Sequence, residues 1–380
     1  MADSELSDLF DAIREQWTSM AGMAAMFTSS IMLGVFIQPF YNFDSIRAFG
    51  EEGTTEAGNI FLELGMILIF TFVIIWLARK GMEAIIKAII FLALGYSLFL
   101  AIGPFVAIFI SLLGMGGMNE WMVATLSLTV GLMYTLHRFP EWYVVNSIGV
   151  LVGAGVITMI GIAFVPVLII FFMVMAAVYD HWAVNKSKHM LELADTMIGM
   201  KLPVLLVAPK SLDYSFIEQD GDVMRGTDLE EHRIGNTDEL WKSINDDKEA
   251  IDDFSERIIR SEKDEPGKPK GRDALFMGLG DVIFPGMLVI SSITFLPEIG
   301  PIVFDFWGDP TKPVHLGPMI VGMGTLVGGL LGYIALMTQV ARGRPQAGLP
   351  LLNGGSILGY LVSGTIALGL GNLWQDITFL

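Results

Sequence analysis

The chain has 380 residues, of which 53% are hydrophobic and only 17% charged, with a mean hydropathy of +0.59. Soluble domains carry about a quarter of their residues charged, so this composition excludes an ordinary soluble domain, and its apolar content excludes a disordered chain. The absence of cysteine removes disulfides, thiol catalysis and iron–sulfur clusters, and a net charge of −17 argues against a nucleic-acid partner. What remains is an integral, multi-pass membrane protein of all-α class.

Residues 1–17 carry Asp3, Glu5, Asp8, Asp11 and Glu15, the reverse of the basic start of a signal peptide. Leu6, Phe10 and Ile13 share one side, which predicts a short amphipathic helix in a cytosolic N-terminal segment. A spanning helix needs about 20 mostly apolar residues. Nine such stretches follow, at 18–40, 58–78, 83–103, 121–136, 141–161, 163–182, 273–295, 315–340 and 353–374. Between the sixth and seventh, 188–201 has the spacing of an amphipathic helix lying at the inner surface, which completes a first membrane unit over 18–210. Residues 203–209 (PVLLVAP) are too short to span and read as a buried extended piece. Residues 211–272 hold 18 acidic and 10 basic side chains and few apolar clusters, which predicts a mostly disordered cytosolic loop. Residues 273–380 then form a second unit with spans seven to nine.

Lysine and arginine set the orientation. With the N-terminus inside, Arg14, Arg79, Lys80, Lys87, Arg138, Arg342 and Arg344 lie on the inner side, and only Arg47 and Lys312 on the outer. The predicted topology is nine spans with the N-terminus cytosolic and the C-terminus outside.

Ionisable residues within spans are rare, because each costs about 2.5–3.5 kcal/mol at the helix centre. The sequence offers Glu63, Asp180 and Asp281. Glu63 stands near the outer end of its span and reads as an interfacial charge. Asp180 ends the long apolar run of the sixth span. Asp281 lies eight residues past Asp273, about 12 Å into the bilayer if the helix begins there. Singly, Asp180 reads as a helix-end charge reaching the interface and Asp281 as a polar residue after a glycine turn. Together, on consecutive antiparallel helices, they fall at one depth. Two carboxyls that share a proton carry one negative charge between them, and their titration belongs to the pair. The ionised member can take a proton from water attacking a peptide carbonyl, and the protonated member can polarise that carbonyl. Such a dyad predicts an aspartyl protease acting within the bilayer.

Neighbouring residues extend this picture. Gly278 and Gly280 flank Leu279 just before Asp281, and small residues let another backbone approach closely. Tyr179 precedes Asp180 and could donate a hydrogen bond. In Gly348-Leu-Pro-Leu-Leu-Asn353, Pro350 is expected to break the helix at the inner end of the last span.

Tyr179-Asp180, Gly278-Leu-Gly-Asp281 and Pro350-Leu-Leu352, in that order over nine spans, resemble the YD, GxGD and PAL motifs of the presenilin and signal peptide peptidase family. Phe139-Pro-Glu-Trp-Tyr143, Lys188-His-Met190 and Gln346-Ala-Gly-Leu-Pro350 are similar to its archaeal members in particular, implying a prokaryotic cell membrane. The resemblance implies that Asp180 and Asp281 are catalytic, and that Pro350, Leu351 and Leu352 shape the site and hold extended substrate. It also implies that Leu279 contributes to substrate choice. The expected substrates are transmembrane helices or remnant signal peptides, with no cofactor and no metal; homo-oligomers are compatible with this. Leu351 stands where the family has alanine. A zinc protease is excluded by the absence of HExxH. The rival from another class is an ion channel or proton-coupled carrier using the same carboxylates, which would need polar residues through the outer half of its spans.

Overall fold

A computed structural model describes residues 2–43, 46–47, 50, 52–114, 116–182, 205–210, 274–306, 312–340 and 348–377. The expected surface helix at 188–201 and the acidic loop at 211–272 lie outside the described residues. So does the segment joining Val340 to Gly348.

Among the described residues there are nine α-helices. They are α1 (Ala2–Tyr41), α2 (Ala57–Arg79), α3 (Glu83–Leu112), α4 (Met118–Arg138), α5 (Trp142–Gly161), α6 (Pro166–Trp182), α7 (Leu279–Phe295), α8 (Leu316–Val340) and α9 (Leu349–Ala367). Two short antiparallel pairs join them: β1 (Leu205–Pro209) with β2 (Ala274–Gly278), and β3 (Ile302–Phe304) with β4 (Val314–His315). The fold is thus mostly helical, not purely so. Within α1, α3, α5, α8 and α9 there are stretches long and apolar enough to cross a membrane, and α6 and α7 are shorter apolar helices.

Several element boundaries differ from the sequence expectation: the expected short N-terminal helix and first span form one helix, Ala2–Tyr41, and α3 runs on to Leu112 where 103 was expected. The expected seventh span over 273–295 is a strand followed by a helix, because Ala274–Gly278 pairs with Leu205–Pro209 instead of coiling. Asp281 is therefore the third residue of α7, not the ninth of a longer helix, and the 12 Å depth does not apply. The last helix begins at Leu349, not Asn353. Pro350 does not break it but lies in its first turn, where a missing N–H costs no helical bond. The helix ends at Ala367, and Leu370–Leu373 is a separate 3-10 turn. The extended piece at 203–209 is present as β1, with Leu206, Val207 and Ala208 buried.

The core is arranged around α7. Its residues Val282 and Met287–Ile290 are fully buried, and it contacts α1, α5, α6, α8 and α9. On α1, Met23, Phe27 and Ile31 complete the same core. With lipid outside, burial alone does not hold such helices together; close backbone approach and interhelical hydrogen bonds do. Ser30 donates to Val150 O at 3.0 Å, Thr158 to Gly34 O at 3.2 Å, Ser291 to Phe164 O at 2.6 Å and Tyr333 to Met20 O at 3.0 Å. The closest approach is between α8 and α9. There a Cβ on Gly355 would lie 3.0 Å from both Cα and N of Gly332 and against Gly328 O, so no other residue fits.

Strand β1 is anchored by α5. Asn146 donates from Nδ2 to Val207 O at 2.6 Å and accepts from Val207 N–H at 2.8 Å. This pair of bonds closes the outer edge of β1 and positions β2, which runs directly into α7.

Candidate active site

Asp180 sits in the last turn of α6, and its side chain is buried. Its Oδ2 accepts the backbone N–H of Leu349 at 3.2 Å, the first residue of α9. The first N–H groups of a helix have no intrahelical partner, so this carboxylate supplies one and meets the positive end of the helix dipole.

Asp281 arrives at the same place from α7. A Cβ on Gly348 would lie 3.4 Å from Asp281 Oδ1 and 3.5 Å from Oδ2. The backbone of Gly278 lies on the same carboxylate: a Cβ there would stand 3.5 Å from Asp281 Oδ2. Gly278 is the N-cap of α7 and Asp281 its third residue, so the carboxylate stands beside the start of its own helix. Two carboxyls from α6 and α7 therefore converge on the Gly348–Leu349 dipeptide at the start of α9.

The remaining residues singled out in the sequence separate into two groups. Gly278 and Pro350 belong to this convergence, Gly278 through its backbone lying against Asp281 and Pro350 as the next residue of α9 after Leu349. Gly280 is exposed, and a Cβ there would meet nothing within 4 Å, so it borders open space beside Asp281. Leu279 is buried, with its Cδ1 3.2 Å from where a Cβ on Gly153 of α5 would stand; it packs inward. Tyr179 is 51% exposed on the outer side of α6. Leu352 is fully buried, and the Leu351 carbonyl presses on Gly332, so these two seat α9 against α8.

Sequence reading did not assign a role to Gly348 or to the Leu349 N–H. Both act through backbone, which leaves no side-chain signature; the only hint was a glycine two residues before Pro350.

Strand β2 adds a feature beside the carboxyls. Val207 is paired with Phe276, and the Val207 N–H and C=O both point away from β2 toward Asn146. By ladder alternation the N–H and C=O of Phe276 point away from β1. Gly278, two residues on, faces the same way and lies against Asp281. Among the described residues each of these strands pairs only with the other, so the outward edge of β2 leads to the two aspartates. No group of three or more His, Cys, Asp or Glu that could hold a metal ion occurs among the described residues.

The family model for signal-peptide peptidase, presenilin aspartyl protease matches residues 23–370. Among solved structures, a presenilin family intramembrane aspartate protease in a C222 crystal form is 25% identical, with 93% of this chain and 100% of that chain covered at a TM-score of 0.53. The match to such a protease in a P2 crystal form is 26% identical with the same coverage and a TM-score of 0.55. No curated protein matches. With nine-tenths of its length matched by the family model, the chain belongs to the signal-peptide peptidase and presenilin family and is an intramembrane aspartic endopeptidase.

Proposed function

We propose that Asp180 and Asp281 are the catalytic pair and that the protein hydrolyses peptide bonds within transmembrane segments or remnant signal peptides. The observation that carries this reading is the convergence of both carboxyls on Gly348 and Leu349. In the reaction, the ionised member takes a proton from water as its oxygen bonds to the peptide carbonyl carbon. The protonated member donates to the carbonyl oxygen. Transfer of a proton to the amide nitrogen then breaks the C–N bond, leaving a carboxyl and an amine. The proton is held by the pair, so neither aspartate is assigned one role at rest.

A helical substrate has its amide groups tied up in its own hydrogen bonds and must unwind before attack. The outward edge of β2 offers a place for the unwound segment, since strand addition replaces the lost bonds with backbone bonds. Gly280 leaves room beside Asp281 for it. Tyr179, Leu279, Pro350, Leu351 and Leu352 then act around this site, the last two by seating α9, Leu279 through packing on α5.

The nine helices are taken as nine spans with the N-terminus cytosolic and the C-terminus outside, in a prokaryotic cell membrane. This places the two aspartates, β1 and β2 on the inner side. The channel or carrier reading draws no support from the outer half. There Ser291, Ser292 and Thr294 donate to the carbonyls of Phe164, Leu288 and Ile290, and Thr158 donates to Ala154, so these hydroxyls do not line a path.

The test uses purified protein and a single-span peptide substrate. Asp180→Asn and Asp281→Asn each lower cleavage by about 10²–10⁴-fold or more while the protein stays folded. Cleavage at the wild-type rate in either variant overturns the pair.

A further inference from the structure

Asn353 lies in α9, four residues past Leu349, and is 1% exposed. Its Nδ2 donates to Met173 O in α6 at 3.0 Å, while its Oδ1 is buried with no hydrogen-bond partner among the described residues. Met173 stands seven residues before Asp180 on α6. Spacings of four on one helix and seven on the other keep both contacts on the facing sides of α6 and α9. The two helices are thus tied twice. One tie is the Asn353 side chain to Met173, and the other is the Leu349 N–H to Asp180.

We propose that Asn353 is a positioning residue for the hydrolysis, holding α9 at the height on α6 where the Leu349 N–H meets Asp180 and Gly348 meets Asp281. The inference rests on the assignment of Asp180 and Asp281 as the catalytic pair. It follows from an imbalance in the contact itself. A buried amide with one end unpaired costs stability, and an apolar residue of similar volume avoids that cost. The Met173 carbonyl would lose little by the exchange, because it lies inside α6 where the helix already provides a donor. Packing alone would therefore favour leucine at this position. What leucine cannot supply is a directional bond that fixes how far α9 slides along α6. The Pro350 ring next to Leu349 leaves the start of α9 with no further N–H to share this task at that residue.

The experiment measures kcat, KM and the thermal midpoint for the full chain, Asn353→Leu and Asn353→Ala, with a single-span peptide in the same detergent. The expected result is a kcat lowered by about ten- to hundredfold in both variants, as misplacement of catalytic groups produces. KM stays within about twofold of the wild type, since substrate binding is not removed. The midpoint of Asn353→Leu matches or exceeds the wild type, and that of Asn353→Ala falls because of the cavity it leaves. If kcat instead follows the midpoint, so that Leu is fully active and only Ala is impaired, Asn353 is a packing residue and the proposal is overturned. If the wild type cleaves and both variants match its kcat, the positioning role fails alone and the catalytic pair stands. If Asp180→Asn and Asp281→Asn cleave like the wild type, the catalytic pair fails and the positioning role falls with it.

Discussion

Helices α8 and α9 touch backbone to backbone, whereas α2 presents large side chains outward. Gly328, Gly332, Gly355 and Gly359 form the α8–α9 contact, and side chains there would collide with main chain. On α2, Phe61, Leu62, Met66, Ile69, Phe70, Phe72 and Trp76 are exposed, and Ile60, Ile74 and Leu77 are buried. By hydropathy the order would be reversed, since α2 is the more apolar. In lipid the solvent is as apolar as the core, so large hydrophobic residues mark the outside as readily as the inside. Small residues mark where helices meet. The aspartates sit on the glycine side of the molecule, where α6, α7 and α9 come together.

Replacing Gly355 by leucine tests that contrast most strongly. The side chain would part α8 from α9, costing about 3 kcal/mol as overpacking does, and displace Leu349 from Asp180. Thermal unfolding in detergent should show the loss, while Phe70→Ala on α2 changes stability by only about 0.5 kcal/mol or less. Equal effects would mean that glycine contact does not distinguish the two regions. Next in size is Asn146→Leu. It leaves the Val207 N–H and C=O unpaired in a buried strand, at a cost of about 2 kcal/mol, and loosens β2 where it enters α7. Amide hydrogen exchange at residues 205–208 should rise; protection unchanged from wild type would show that β1 is held by other contacts.

Gly348→Ala carries the smallest effect on stability. Its Cβ would stand 3.4 Å from Asp281 Oδ1, a contact the fold tolerates, with a backbone conformation open to alanine. It would occupy space beside the carboxyls, so cleavage falls by about tenfold with the thermal midpoint nearly unchanged. Full activity in this variant would place the reacting water on the other side of Asp281.

Much of the helical order was readable from apolar runs and turn residues. The predicted stretch 141–161 agrees with α5 to within one residue, and the stretch 58–78 with α2 at both ends. The aspartates stood out because charge inside an apolar run is costly. The segment 274–278 was misread as helix for a definable reason. Ala-Leu-Phe-Met-Gly is a short apolar run with no clear period, which strand and buried helix share. Its partner, Leu205–Pro209, lies more than 60 residues away in sequence, and only pairing with it decides the conformation. Likewise Pro350 reads as a break, but a proline in the first turn of a helix breaks nothing, and its place depends on Asp180 accepting the N–H of Leu349.

The sequence by itself determined that this chain enters a membrane and where most of its helices run, and it singled out two aspartates, because each follows from local hydrophobicity and the cost of burying charge. Tertiary structure alone decided that Asp281 opens α7 behind a strand, that the two carboxyls meet over Gly348 and Leu349, and that Asn353 ties α9 to α6. Each of those features joins a strand or a side chain to the backbone of a segment distant in the chain, and no local pattern records such a pairing.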